Sequence, residues 1–312
     1  IITSSTLPAL AGLRDTCAAL AGRWEDVVRV GRTHLQDATP ITVGQAFSAY
    51  AAALDDAHGA LAVATDGLAA LAIGGTAVGT GVNTTAGFGA EVCRRLDPSG
   101  ATVFRPAANP FAAQSTLDVL VRVHGALRDA SVVTTKLAND VRWAGSGPRA
   151  GIGEFVLPAN EPGSSIMPGK VNPTQAEALV MVGAQLAGAD VTMGIAGAGG
   201  HFELNTLRPL AATTVVDSAT VLADGCNRFR EFCLEGLELN RATIDGHLGG
   251  SVMLVTALVP VVGYDLATAI AQRASADGVP VREAAIALGV APETFDAAVD
   301  PLAMTRPDPP TT

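Results

Sequence analysis

The chain has 312 residues, of which 48% are hydrophobic but only 4% aromatic, and a formal net charge of −10. That length supplies a sizeable core for one large domain or two. The acidic balance offers no basic stripe to neutralise phosphates and so excludes nucleic acid as a partner, while a small anion can still be held locally by one lysine or a helix terminus.

The apolar content is mainly Ala, Val and Leu, which suits helices packed closely against one another. Residues 4–29 carry Leu7, Leu10, Leu13, Cys17, Leu20, Trp24 and Val27 at steps of three and four. That stripe predicts a bundle helix ended by Gly31. The stretch Gly31–Pro40 reads as a polar turn with one imidazole, His34. Residues 42–71 are Ala/Leu-rich on nearly all sides, as in a helix deep inside an assembly. The glycine-rich run Gly74–Thr84 follows no strand and does not read Gly-x-Gly-x-x-Gly, so a dinucleotide site is rejected and a connecting segment expected. A short helix over 87–96 and a long one over 110–144 come next, with Asn139, Asp140 and Arg142 as bundle polar contacts near the end of the latter.

The stretch 162–173, Pro162-Gly163-Ser164-Ser165-Ile166-Met167-Pro168-Gly169-Lys170-Val171-Asn172-Pro173, holds three prolines and two glycines and excludes a regular helix. Its polar side chains are two hydroxyls, one ammonium and one amide, with no acid among them. Such a loop suits an anion: Lys170 supplies charge, Asn172 and the serines supply donors, and the glycines admit backbone N–H groups. Thr174-Gln175-Ala176-Glu177 reads as a capping box opening a helix that runs to about Met193, so a helix dipole adds to the attraction. His201–Asn205 is read as structural, and residues 206–239 as a further helix. After Asp245-Gly246 the elements shorten to 251–258, 263–275, 281–288 and 292–299, and the Pro-rich tail from Arg306 reads as disordered. With no strand-like alternation of useful length, the predicted fold is all-α: a central helical bundle domain over 1–245 and a small C-terminal helical domain over 246–312.

Cys17, Cys93, Cys226 and Cys233 show neither CxxC spacing nor a metal-ligand cluster. Cys226 and Cys233 lie roughly 10.5 Å apart along a helix, beyond the ~7 Å reach of a disulfide. Reduced thiols and a cytoplasmic setting are expected. Gly249, Gly250 and Pro260 interrupt the longest uncharged stretch, so no membrane span is expected. The start, Ile1-Ile2-Thr3, has neither an initiator Met nor a basic signal region, and reads as less than a complete gene product.

The loop resembles the signature of the fumarase/aspartase superfamily, Gly-Ser-Ser-x-Met-Pro-x-Lys-x-Asn. Gly31-Arg32-Thr33-His34-Leu35-Gln36-Asp37 is similar to the second conserved stretch of class II (iron-free) fumarases, and Gly200–Asn205 and Ser251–Leu258 are similar to further segments of that family. The resemblance implies a mostly helical subunit whose long helices form the core of a homotetramer, each active site drawing on three subunits. It also implies an N-terminal domain and a first Ser- and Asn-rich stretch ahead of Ile1, so a fragment, a trimmed product or a family member without that region is expected. Its reaction would be the reversible hydration of fumarate to (S)-malate through a carbanion, with no metal and no cofactor. By resemblance, Ser164 is the base, His34 handles water on the opposite face, and Glu177 either caps the helix or polarises His34. Thr33, Ser165, Lys170, Val171 and Asn172 would bind the dicarboxylate. Aspartate ammonia-lyase, which uses the same loop, and a non-catalytic structural member of the superfamily are the alternatives.

Overall fold

The structure, a computed structural model, describes residues 1–97, 100 and 102–307. It opens with α1 (Leu7–Arg23), the strands β1 (Val28–Thr33) and β2 (Gln36–Thr42), and α2 (Val43–Asp66). β3 (Ala70–Leu71), α3 (Phe88–Leu96), β4 (Arg105–Pro106), α4 (Pro110–Ser115), α5 (Asp118–Ala144) and β5 (Phe155–Val156) follow. Then come α6 (Thr174–Ala198), α7 (Arg208–Phe229), β6 (Glu238–Leu239) and α8 (Arg241–Gly250). The chain closes with α9 (Val259–Val262), α10 (Tyr264–Asp277), α11 (Val281–Ala287) and α12 (Pro292–Ala298). The fold class is all-α, as the sequence predicts, with strands confined among the described residues to three two-stranded pairs. The tail beyond residue 307, expected to be disordered, lies outside the described residues.

Two local expectations are corrected. The first helix stops at Arg23, and Val28–Thr33 is a strand rather than the helix end. Trp24 and Val27 keep helical spacing although they sit in a turn, closed by the Val27 N–H donating to the Trp24 carbonyl at 3.2 Å, so the stripe overruns the element. The predicted 110–144 helix is two helices, because Thr116 is extended between them (φ −120°, ψ 164°). Neither Gly nor Pro marks that break.

Chain contacts divide the molecule into two compact units. The first comprises Ile1–Thr16, Ala51–Arg142 and Pro158–Gly236. Here α6 and α7 make the most extensive helix pairing. Leu179, Leu186 and Met193, spaced by seven along α6, are fully buried, while Met181, Val191 and Ile195 on the same helix are 68%, 64% and 67% exposed. A buried imidazole ties three helices together: His124 of α5 donates from Nδ1 to Asp190 of α6 at 3.0 Å, and its Nε2 lies 3.0 Å from Ser218 Oγ of α7.

The second unit comprises Cys17–Tyr50, Trp143–Leu157 and Leu237–Thr312. Trp24, Phe47 and Phe155 form an aromatic cluster within it, with ring centroids 5.5 to 6.4 Å apart. Its helical end packs Leu258, Ile270, Ala285 and Phe295 into a core of their own. α8 packs against β1. β1 and β2 pair antiparallel, and the register slips between Val30 and Gly31, where Val30 faces Pro40 but Gly31 faces Ala38. Thr39 is the extra residue of this bulge, and its carbonyl would stand 2.4 Å from a β-carbon at position 31, so only glycine fits there.

Candidate active site

In the first unit, residues 163–172 close on themselves. The Gly163 N–H donates to the Lys170 carbonyl at 3.1 Å, and the Lys170 N–H donates to the Met167 carbonyl at 3.3 Å. The Asn172 amide donates to the Gly163 carbonyl at 2.6 Å. A β-carbon on residue 163 would meet the Lys170 carbonyl oxygen at 2.1 Å, so this closure needs glycine. Ser165, Lys170 and Val171 are exposed, whereas Ser164 and Asn172 are half-buried. Lys170 makes no ion pair among the described residues, which leaves its charge free for an incoming anion.

Ser164 has the most distinctive surroundings. Its Oγ accepts hydrogen bonds from the backbone N–H groups of Ile166 and Met167, both at 3.1 Å. Two donors aimed at one hydroxyl oxygen favour its charged form, as they would in an oxyanion hole. Asn172 spends one of its amide hydrogens inside the loop, and its other hydrogen and its oxygen are the groups it can offer outward.

The capping box is not formed. Pro173 occupies the N-cap of α6 without a side-chain cap, and Thr174 is already helical. The Thr174 hydroxyl is buried with no hydrogen-bond partner among the described residues. The Glu177 N–H bonds instead to the Pro173 carbonyl at 3.0 Å, as in any helical turn. Of the two roles expected for Glu177, helix cap is therefore removed.

Thr33 and His34 sit in the second unit at the tip of the β1–β2 hairpin, both exposed. Thr33 pairs with Gln36, so His34-Leu35 is a two-residue turn. Both turn residues have φ of +58°, the left-handed conformation that such turns require and that Asn-Gly usually supplies. A non-glycine residue there costs about 1–2 kcal/mol, and strained backbone of this kind clusters at functional sites. The strand residues were missed in the sequence because Gly31 and Pro40 read as breakers. The alternation Val28-Arg29-Val30 was the available signal.

One residue of this unit escaped the sequence reading altogether. Glu154 is the only fully buried carboxylate among the described residues, and it pairs with Arg32, Arg29 and His247. A lone acid in the apolar, glycine-rich stretch Gly151-Ile152-Gly153-Glu154-Phe155 was the clue. Among the described residues, no three of His, Cys, Asp and Glu gather as a metal would need.

Residues 2–188 match the profile of a family described as Lyase, and residues 254–306 match one described as Fumarase C C-terminus. The class II fumarate hydratase of Methanosarcina acetivorans is 50% identical over 299 residues, covering 96% of this chain and 62% of that protein. That of Ralstonia nicotianae is 50% identical, covering 96% of this chain and 65% of that protein. The crystal structure of recombinant class II fumarase from Schistosoma mansoni superposes with a TM-score of 0.91 at 39% identity, covering 97% of this chain and 66% of that one. The chain thus spans a little under two thirds of the length of these relatives.

Proposed function

The chain belongs to the lyase family that contains the class II fumarate hydratases, and from that premise we propose that it takes part in the reversible hydration of fumarate to (S)-malate. The observation that carries this reading is the Ser164 hydroxyl held by two backbone N–H groups in a cationic loop.

Dehydrating malate means removing a weakly acidic proton beside a carboxylate. A serine can take that proton only where its alkoxide is stabilised. The Ile166 and Met167 N–H groups, the Lys170 charge and the N-terminus of α6 supply that stabilisation. The proton passes to Ser164 Oγ, and the electron pair left on carbon spreads into the adjacent carboxylate. Lys170, the free amide hydrogen of Asn172, the Ser165 hydroxyl and the Val171 backbone are the donors assigned to that carboxylate, with Thr33 contacting substrate. His34, polarised by the Glu177 carboxylate, assists the departing hydroxide on the opposite face, and in reverse it activates the attacking water.

Assembly as a homotetramer, with loop and hairpin contributed by different copies, is part of the same reading. It is supported by α6, the one described helix long and apolar enough to cross a membrane, which is only 17% buried over its most apolar stretch. An apolar face of that extent calls for cover, and long helices of further copies supply it. Four free, buried thiols support a reducing, cytoplasmic setting.

The test is loss of the ultraviolet absorbance of fumarate on adding the purified protein, in water alone and with ammonium. Loss without ammonium that disappears in Ser164→Ala is the expected result. Turnover only with ammonium would assign an ammonia-lyase instead.

A further inference from the structure

Glu154 is held from every side within the second unit. Its N–H donates to the Ala144 carbonyl at 2.9 Å, and its carbonyl accepts from the N–H of Asn240, the N-cap of α8, at 2.8 Å. Arg32 grips the carboxylate with both guanidinium ends, Nη2 to Oε1 at 2.6 Å and Nη1 to Oε2 at 3.1 Å. His247 of α8 lies 3.1 Å from Oε1 through Nδ1, and Arg29 stands 3.6 Å from Oε2. Burial raises the proton affinity of this carboxyl, but the bonds from Arg32 and His247 and the two guanidinium charges outweigh it and hold the group below the ordinary glutamate range.

Stability is a weak reason for such a site, because a buried ion pair can often be replaced by packed apolar residues at no loss. What the pair does provide is direction. A two-point guanidinium–carboxylate contact fixes rotation as well as distance. Arg32 and Thr33 end β1 just before the turn residue His34, and Arg32 is the last side chain before the tip with a buried anchor. At the tip itself, the one side-chain hydrogen bond among the described residues is a local contact from Gln36 to the Leu35 carbonyl. The tip is therefore aimed from its base.

We infer that Glu154 is a positioning residue: through Arg32 it sets where the hairpin presents Thr33 and His34. The inference rests on the role given to His34 above, and the experiment separates the two. Arg32→Lys keeps the positive charge beside Glu154 and removes the two-point grip. Glu154→Gln removes the charge and leaves two guanidinium groups facing an amide. A displacement near 1 Å costs on the order of 10²-fold in rate. Each variant, at the parent's oligomeric state, is expected to lose about that much kcat, with KM raised as far as Thr33 is displaced from substrate.

Activity is paired with a direct readout. The chain has five histidines, so the imidazole region of the NMR spectrum is sparse, and the His34 signal is the one lost in His34→Asn. Both clamp variants should shift or broaden that signal while His58 stays in place. An unmoved His34 signal in a folded variant overturns the inference, as does parent kcat in that variant where His34→Asn itself loses activity, and Arg32→Lys decides alone if Glu154→Gln does not fold. Should His34→Asn turn over normally while the clamp variants still move the His34 signal, the catalytic role of His34 falls and the clamp stands.

Discussion

His124 donates from Nδ1 to Asp190 at 3.0 Å while having no solvent exposure of its own. Arg128 reaches the other oxygen of the same carboxylate at 3.1 Å from a side chain that is 47% exposed. The two contacts share an acceptor but not an environment. Asp190→Ala leaves a buried N–H without an acceptor, and should cost about 1–3 kcal/mol of stability. Arg128→Ala removes a half-solvated ion pair and should cost under about 1 kcal/mol. Urea midpoints at fixed protein concentration and unchanged slope would give that order. Equal costs would contradict it.

Glu154 predicts the acid side of the stability profile. Because its carboxyl sits below the ordinary range in the folded chain, its stabilising contribution is present above the unfolded value. That contribution is lost as pH falls through the depressed folded value. The melting-temperature gap between the parent and Glu154→Gln should therefore be widest near neutral pH and shrink in acid. A gap that widens on acidification would reverse the sign assigned here.

Burial pushes the thiols of Cys17, Cys226 and Cys233 up to about 12. A raised value keeps the thiol protonated at neutral and mildly alkaline pH, so thiolate chemistry is suppressed. Iodoacetamide at about pH 8 should leave these three unmodified in the native protein and label them after unfolding. Mass spectrometry of the intact chain before and after urea checks this directly.

Gly163→Ala is expected to disable the loop without unfolding the chain. Its new β-carbon would collide with the Lys170 carbonyl, 2.1 Å away, and force open the contacts that Gly163 makes with Lys170 and Asn172. A shift near 1 Å at Ser164 corresponds to a loss of about 10²-fold in kcat. Because Ile166, Met167 and Val171 of this loop are all exposed, the melting temperature should barely move. Steady-state kinetics beside a thermal melt would show the split.

Much of the architecture was legible because heptad spacing survives into packing. Leu10, Leu13, Cys17 and Leu20, picked out as one stripe, are all buried in α1. The irregular backbone of residues 162–173 was legible because proline and glycine announce it, and the lack of acids there is a fact of composition. The donor pair on Ser164 was not, since it is made of backbone N–H groups that no side-chain pattern encodes. The hairpin was hidden by a bulge, which puts a glycine and a proline where strands usually exclude them. The side-chain partners of Glu154 come from segments over 90 residues away in sequence, a distance at which local spacing carries no information.

The corner turned by His34 and Leu35 bears on why those residues stand there. Asn-Gly would round the same bend more cheaply, so pressure for folding alone runs toward that dipeptide and away from an imidazole. A library randomised at both positions and sorted only for soluble expression should drift to glycine and asparagine. A side chain that the backbone would not choose is one whose reason for being there lies outside the backbone.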